Sequence, residues 1–327
     1  MQAFTITALD DRIALEVREH EPAPVEPDDV LVNVDFSGLN YKDALVAEAR
    51  SRVRRVPSLV GGVDAAGVVA SAGSDLPTGT RVAVHGGDLG VARDGGFATA
   101  IYAPRRYLTP LPDGLSTRDA MVVGTAGVSA MASILALEDH GLDPDGEVLV
   151  TGATGGVGSL AVTFLAARGY RVVASTGSGD QAGWLTQRGA ARVIGRDDIG
   201  DREDRVLGSP RWAGAVDCVG GPTLAQVLRT LRYGAAVAAS GLVASAELVT
   251  TVYPFITRSV ALLGVDVVDA PPAQRERVWR AIGDCATSDL LEPLVDSVIG
   301  LGGLASAIER LRHGKTRGRV LVDPAAT

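Results

Sequence analysis

The stretch of this chain best equipped for chemistry is Glu147 to Gly158, EVLVTGATGGVG. Glu147–Thr151 is a short β-branched run, long enough for one buried parallel strand. It breaks into glycines at Gly152, Gly155, Gly156 and Gly158, and Ser159 to Arg168 (SLAVTFLAAR) then carries the pattern of a helix. Strand, glycine turn and helix together present a helix N-terminus, whose backbone N–H groups suit a phosphate. The glycines permit the tight turn and let a pyrophosphate approach the backbone closely. The spacing is not a strict G-x-G-x-x-G, so the turn alone also fits a strand-to-helix connection with no ligand. A second strand, Arg171–Ser175, follows the helix at once, as a dinucleotide-binding βαβ unit of ~30 residues requires.

Other chemistries find no support. Gly314-Lys315-Thr316 resembles the end of a P-loop, but the glycine required five positions before Gly314 is Glu309. No G-x-S-x-G occurs, so there is no nucleophile elbow. His20, His85, His140 and His313 are scattered, and none pairs with a cysteine at metal-ligand spacing. Without a metal site, a serine nucleophile or a reactive cysteine, the chemistry must come mainly from a bound cofactor.

The elements that would position such a site divide the chain. Residues 1 to about 120 read as β-rich, with alternation at Ile13–Val17 and Asp29–Phe36 and further strands at Val63–Ala70, Thr80–Val84 and Phe97–Ile101. One helix start stands out, at Asn40–Leu45. Leu115–Leu137 turns helical, and an α/β region follows with strands near 147–151, 171–175, 192–194, 214–219, 235–239 and 260–265. Six such strands complete a doubly wound dinucleotide fold. Pro271–Ala286 reads as a helix. The tail then returns to the first character, with a strand at Val295–Ile299, a helix at Leu304–His313 and a last strand at Arg319–Val322. The expected fold class is α/β, with a split β-rich domain (1–121 and 290–327) into which a nucleotide-binding domain (122–289) is inserted. A cleft between two such domains is a natural place for the reactive end of a cofactor.

Bulk properties narrow the partners. At 327 residues the chain is long enough for about two domains. The formal charge of −8 and the lack of a long basic run exclude a nucleic-acid surface. The only basic cluster, Arg50–Arg55 (RSRVRR), reads as a solvated loop or an anion site. Lys42 and Lys315 are the only lysines, a compositional trait of the source rather than a functional one. Cys218 and Cys285 lie far apart and suggest no disulfide framework, as in a reducing cytosol. Cys218 sits in an apolar strand and reads as a small core residue. The N-terminus is no signal peptide, and no apolar run approaches the ~20 residues that span a bilayer. A soluble, cytoplasmic protein is expected.

Seven stretches, in order along nearly the whole chain, carry a family resemblance: LNYKDAL (39–45), VDAAGVV (63–69), GTAGVSAM (124–131), ALEDHGLDPDGEVLVTGATGGVGSLAV (136–162), RWAGAVDCVGG (211–221), TTVYPFITRSVALLGVD (250–266) and GKTRGRVLVD (314–323). On these the chain resembles a zinc-free member of the medium-chain dehydrogenase/reductase superfamily, quinone-oxidoreductase branch, closest to the acryloyl-CoA reductase group. The resemblance implies a GroES-like catalytic domain plus a Rossmann domain. It also implies a homodimer formed through the last Rossmann strand near Ser259–Asp266, and NADPH as hydride donor to a conjugated carbonyl or quinone. Within the family's active-site motif, Asn40 and Tyr41 are expected to orient substrate and nicotinamide, with Tyr41 the hydrogen-bond or proton donor and Asp43 orienting its neighbours. The alternative is that Tyr41 merely packs at a helix start.

By the same resemblance, Thr125 and Gly127 approach the nicotinamide and phosphates. Thr154, Gly155, Gly156 and Val157, after Gly152, hold the pyrophosphate. Ser240, Gly241, Leu242 and Phe255 line the nicotinamide pocket, and Arg317 or Arg319 the cleft. Two departures stand out. Relatives carry Thr-Gly-Arg after the second strand, the arginine clamping the 2′-phosphate of NADPH, whereas Ser178 stands in its place here. No acidic residue ends that strand to bind a free ribose hydroxyl. Ser175, Thr176 and Ser178 therefore still favour NADPH over NADH, with Asp180 opposing it if it points inward. In the 85–96 loop, Asp94 occupies a position where relatives carry tryptophan, which makes a changed substrate mouth an expectation. Three functions follow: an NADPH-dependent reductase of an acryloyl-CoA-like thioester, an NADPH:quinone or small-enone oxidoreductase, and a non-catalytic cofactor-binding subunit. The intact Asn40–Asp43 motif disfavours the last.

Overall fold

A computed structural model describes residues 1–71, 75–200 and 206–326. The chain forms two compact units, Met1–Val128 with Val267–Thr327, and Ser129–Asp266.

The first unit is built on the long strand Asp29–Leu39, whose Val30, Val32 and Val34 are buried as their alternation requires. It is the hub of a seven-stranded sheet. Asp64–Val69 pairs with its middle, Ala100–Pro104 with its first half and Arg319–Val322 with its last residues, all antiparallel. Arg81–His85, Leu108–Pro110 and Val295–Ile299 extend the sheet outward. Gly67 crosses so close to Asn33 that any Cβ there would strike the Asn33 carbonyl oxygen, beside a register shift between Val34 and Phe36. A second sheet orders Arg12–Glu19, Gln2–Leu9 and Ser58–Val60. Its middle strand is not evident from periodicity because Ala3, Phe4, Thr5 and Ile6 are all buried rather than alternating. The helix Pro272–Gly283 packs in this unit. Trp279 Nε1 donates to His85 Nε2 at 3.1 Å, and the buried Arg275 donates to the carbonyls of His85, Val268 and Ala270. These bonds draw the chain back to the first unit from Val267 onward, ahead of the return at 290 that composition suggests.

The second unit is a six-stranded parallel sheet in the order Ala190–Ile194, Arg171–Ser175, Glu147–Val150, Trp212–Asp217, Leu231–Ala239 and Ala261–Gly264. This is the 3-2-1-4-5-6 order of a doubly wound dinucleotide fold. Its apolar core gathers Leu149, Val173, Ala215, Val237, Trp212 and Leu228.

The helix Thr117–Asp139 is long and apolar enough to cross a membrane by length and composition, which corrects the expectation that no apolar run of that length exists. Its apolar stretch is 83% buried inside the protein, and Gly124 interrupts it.

The 85–96 loop is firmly held within the first unit. Arg93, with 4% of its side chain exposed, donates to Asp29 Oδ2 at 2.7 Å, Glu26 Oε1 at 2.6 Å and Asp88 Oδ1 at 3.3 Å. Asp94 accepts from Val60 N at 2.8 Å and pairs with His20 Nε2 at 2.7 Å. The Asp94 carboxylate thus braces two neighbouring segments. Because the Asp29 side chain has no exposed surface, Arg93→Met should remove its only paired cation among the described residues and cost on the order of 3–5 kcal/mol in urea unfolding. A loss below about 1 kcal/mol would show that this cluster does not hold the loop.

Candidate active site

In the second unit, the strand Glu147–Val150 runs into a turn at Gly152 (φ 60°), and the helix Gly156–Ala167 begins after an extended Gly155. No side chain caps this helix, so its first N–H groups have no side-chain acceptor. A Cβ on Gly158 would strike Gly152 O, so only glycine lets helix and turn lie this close. Bare N–H groups behind a cradle that side chains would fill fit a pyrophosphate. Beside the turn, Thr154 Oγ1 lies 3.5 Å from Thr176 Oγ1, which accepts from Ser178 N at 3.0 Å. Ser175 is buried, and its hydroxyl points at Gly195 O, 3.4 Å away. Ser178 is exposed.

The loop that follows Leu231–Ala239 carries Ser240, Gly241 and Leu242. Gly241 lies against Cys218, whose carbonyl oxygen a Cβ would strike, and Ala244 N donates to Val219 O at 2.9 Å. Asp217, fully buried, underpins this pairing. It accepts from Thr151 Oγ1 at 2.7 Å and Gly220 N at 2.8 Å, and burial pushes its carboxyl above the usual range. Burial likewise pushes the Cys218 thiol up, further from a reactive thiolate. Phe255 rests partly buried against the apolar core.

In the first unit, the helix Tyr41–Val46 starts at Asn40, and its third residue, Asp43, reaches back to accept from Asn40 N at 2.8 Å. The other Asp43 oxygen accepts from Val63 N at 3.0 Å. Asp64 accepts from Gly38 N at 3.0 Å, Asn40 Nδ2 at 2.9 Å and Thr125 N at 2.7 Å. Arg319, 2% exposed, donates through Nη1 to Asn40 Oδ1 at 3.2 Å and through Nε to Val122 O at 3.0 Å. Two carboxylates and one guanidinium are therefore buried together. Burial, then the charge of Asp64, pushes the Asp43 carboxyl up to about 7. Burial acts on Arg319 in the opposite sense, lowering its pKa, while Asp64 and Asp43 favour its charge.

The cluster also accounts for the break at Gly124 (φ 48°, ψ −164°). The Thr125 N–H and the Met121 and Val122 carbonyls there are bonded by Asp64 and Arg319 instead of by helix turns. A Cβ at 124 would lie 2.5 Å from Arg319 Nη2 and 2.8 Å from Asp64 Oδ2.

The structure therefore brings Asn40, Asp43, Arg319 and the Thr125 backbone together, with the buried Gly127 one turn beyond the break. Arg319 is a buried brace of the Asn40 side chain rather than a group open to a cofactor. Arg317 lies exposed two residues earlier. Tyr41 is 39% exposed, and its hydroxyl has no hydrogen-bond partner among the described residues. The basic run at 50–55 is partly structural. Arg54 donates to the carbonyls of Val46, Glu48 and Ala49 at the end of the Tyr41–Val46 helix, and Arg50 pairs with Asp11. Sequence reasoning gave Asp64 and Asp217 no role. The available signal was an acidic residue inside an otherwise apolar run, VGGVDAAGVV and AGAVDCV, since carboxylates are rarely buried without partners.

Two family models match: the alcohol dehydrogenase GroES-like domain over residues 26–113 and the zinc-binding dehydrogenase over 156–284. Among the described residues, no three His, Cys, Asp or Glu side chains come together to hold a metal ion. Fold and sites define a two-domain nicotinamide-dependent dehydrogenase or reductase architecture. The chain is 45% identical to the acrylyl-CoA reductase AcuI of Ruegeria pomeroyi, over 90% of each protein. It is 43% identical to YhfP of Bacillus subtilis over 95% of each, and the crystal structure of yhfP with NAD bound superposes with a TM-score of 0.95, covering 98% of each chain. The yhdH oxidoreductase of Salmonella enterica in complex with NADP gives 0.93 at 39% identity, covering 99% of each chain. The chain belongs to the zinc-independent quinone-oxidoreductase branch of the medium-chain dehydrogenase/reductase superfamily, alongside the acrylyl-CoA reductases.

The raised Asp43 carboxyl carries a pH signature. A group whose folded pKa, about 7, lies above an unfolded value near 3.9 contributes stability that is complete below about pH 4 and lost as pH rises through 7. Asp43→Asn has no such titration. The stability of the native protein minus that of the variant, from urea unfolding, should therefore shrink by roughly 1–3 kcal/mol between pH 5 and pH 8. A constant or growing difference would mean Asp43 is ionised throughout that range.

Proposed function

We propose that this protein is an NADPH-dependent reductase that adds hydride to the C=C of an α,β-unsaturated carbonyl, foremost an acryloyl-CoA-like enoyl thioester. The observation that carries this reading is how the LNYKDAL motif is used. Asn40 and Asp43 have their polar atoms engaged by the chain itself, which leaves the half-exposed Tyr41 hydroxyl as the group free to meet a substrate. The 45% identity to an acrylyl-CoA reductase supports the thioester as acceptor. When bound, NADPH would supply the hydride.

The residues of the chain do the rest. The N–H groups of Gly156 and Val157, with Thr154 and the glycine turn at Gly152 and Gly155, hold the pyrophosphate, and Ser240, Gly241, Leu242 and Phe255 line the nicotinamide side. As hydride adds to the β-carbon, negative charge moves to the thioester oxygen, where a donor that strengthens with the charge lowers the barrier. Tyr41 is that donor; its proton then passes to the α-carbon, and water returns a proton to the tyrosinate left behind. Asn40, Asp43, Asp64 and Arg319 keep the start of its helix in place. Arg52 and Arg55, exposed in the basic run, offer the charge that the CoA diphosphate would need.

A homodimer through Ala261–Gly264 belongs to the same proposal. That strand ends the six-stranded sheet with its outer edge unpaired among the described residues, and Ile256 (71% exposed), Val252 (64%) and Leu262 (39%) lie exposed close to it in sequence. A cytoplasmic setting is supported by the two free thiols.

Tyr41→Phe should lower kcat for acryloyl-CoA by about 10²- to 10³-fold while leaving NADPH affinity within about threefold. Stopped-flow absorbance at the nicotinamide band and a cofactor titration measure the two. Undiminished kcat would remove Tyr41 from the chemistry. Oxidation of NADPH by a benzoquinone but not by acryloyl-CoA would move the acceptor to quinones.

A further inference from the structure

The ends of two neighbouring strands in the second unit face the same problem, namely what recognises the adenosine ribose. In a sheet of this order the ribose lies at the end of the second strand, where a carboxylate selects the free 2′-hydroxyl and an arginine the 2′-phosphate. Arg171–Ser175 ends in Thr176-Gly177-Ser178-Gly179, which holds neither. Ser175 is buried with its hydroxyl on Gly195 O, and Thr176 Oγ1 already accepts from Ser178 N.

The third strand of the unit, Ala190–Ile194, runs parallel beside it with Ser175 opposite Ile194, and Thr176 N donates to Ile194 O at 3.1 Å. The two loops therefore leave the sheet side by side. Two residues past Ile194 stands Arg196. A Cβ built on Gly177 would lie 2.5 Å from Arg196 Cζ, Nε and Nη2 alike, so the guanidinium lies flat across the face of Gly177. Any side chain at 177 would push it away. Arg196 is exposed and makes no hydrogen bond or ion pair with the described residues. Two of the nearby carboxylates are turned to other partners. The Asp198 carboxylate accepts from Gly195 N at 3.1 Å, and Asp180 accepts from Gln181 Nε2 at 2.7 Å.

We propose that Arg196 is the specificity residue for the 2′-phosphate of NADPH, supplied from the end of the third strand in place of the arginine that Ser178 replaces. Gly177 is its seat, and the exposed Ser178 hydroxyl adds a second donor. A planar guanidinium with its N–H edge uncommitted suits a phosphate dianion through paired charge-assisted hydrogen bonds.

This inference rests on the NADPH reading above, and calorimetric titration without any acceptor keeps the two apart. NADPH, NADH and 2′,5′-ADP are titrated into the native protein, Arg196→Gln, and the double variant Arg196→Gln/Ser178→Arg. The native protein should bind NADPH more tightly than NADH. Arg196→Gln should weaken NADPH and 2′,5′-ADP by about 10- to 100-fold and leave NADH within about threefold. The double variant should recover most of the loss. Because Arg196 is exposed and unbonded, the variant should keep the native melting temperature, which circular dichroism checks. Equal weakening of NADPH and NADH, or no weakening of NADPH, overturns the assignment. Native protein that prefers NADH overturns it as well. Failure to bind either nicotinamide would instead sink the cofactor reading itself.

Discussion

Asp64 stands at the start of a strand with no exposed surface, and its two oxygens take N–H groups from three separate segments. Gly38 belongs to the central strand, Asn40 to the cap of the Tyr41 helix, and Thr125 to the break in the long helix. A carboxylate buried this deeply is tolerable only because donors replace its water, and each donor it takes becomes fixed in turn. Arg319 closes the arrangement from the last strand, bonding the carbonyls of Met121, Val122 and Leu39 and the Asn40 amide oxygen. One buried charge cluster thus sets where the motif helix begins and where the long helix breaks. Removing any one member would strand the others in a low-dielectric interior, which is more damaging than losing a single bond.

The second unit uses the same device. Asp217, at the end of a central parallel strand, takes Thr151 Oγ1 from the adjacent strand and Gly220 N from its own loop, and Thr151 Oγ1 in turn accepts from Cys218 N at 3.1 Å. The 218–221 loop then seats Gly241 and Ala244 of the next loop. Loops at the carboxyl ends of parallel strands carry ligands in this fold, yet they lack ladder hydrogen bonds of their own. A buried acceptor beneath them supplies what the ladder does not.

Much of the architecture was legible in the sequence for physical reasons. The four inner parallel strands were visible because both faces are largely covered and each carries an apolar run, and the glycine turn because a helix must approach the strand closely at Gly158. The strand Gln2–Leu9 was not, since burial on both sides erased its alternation. Nor was the break at Gly124, because it is made by side chains more than 50 residues away in sequence. Family resemblance pointed to Asn40, Tyr41 and Asp43 and suggested a role for each, but not which of their polar atoms the fold consumes. Which polar atoms are consumed internally depends on Asp64 and Arg319, and only folding brings these to the motif.

That consumption separates the polar residues of the candidate sites into two kinds. Asn40 has both amide hydrogens and its oxygen engaged, Asp43 has an N–H on each oxygen, and Ser175 has its hydroxyl on a backbone carbonyl. A ligand could bond these groups only by displacing bonds that buried partners need, at a cost of about 1–3 kcal/mol each. Tyr41, Ser178 and Arg196 instead stand exposed, held through backbone that the first kind fixes. Precision and availability are therefore assigned to different side chains. The buried ones cannot bind without loosening the fold, and the exposed ones need a rigid base to bind at all. On the proposed reading, position 196 supplies the cation that position 178 does not, because what a 2′-phosphate requires is a cation at that edge of the sheet. The sheet registers Ser175 opposite Ile194 and so brings both positions to that edge.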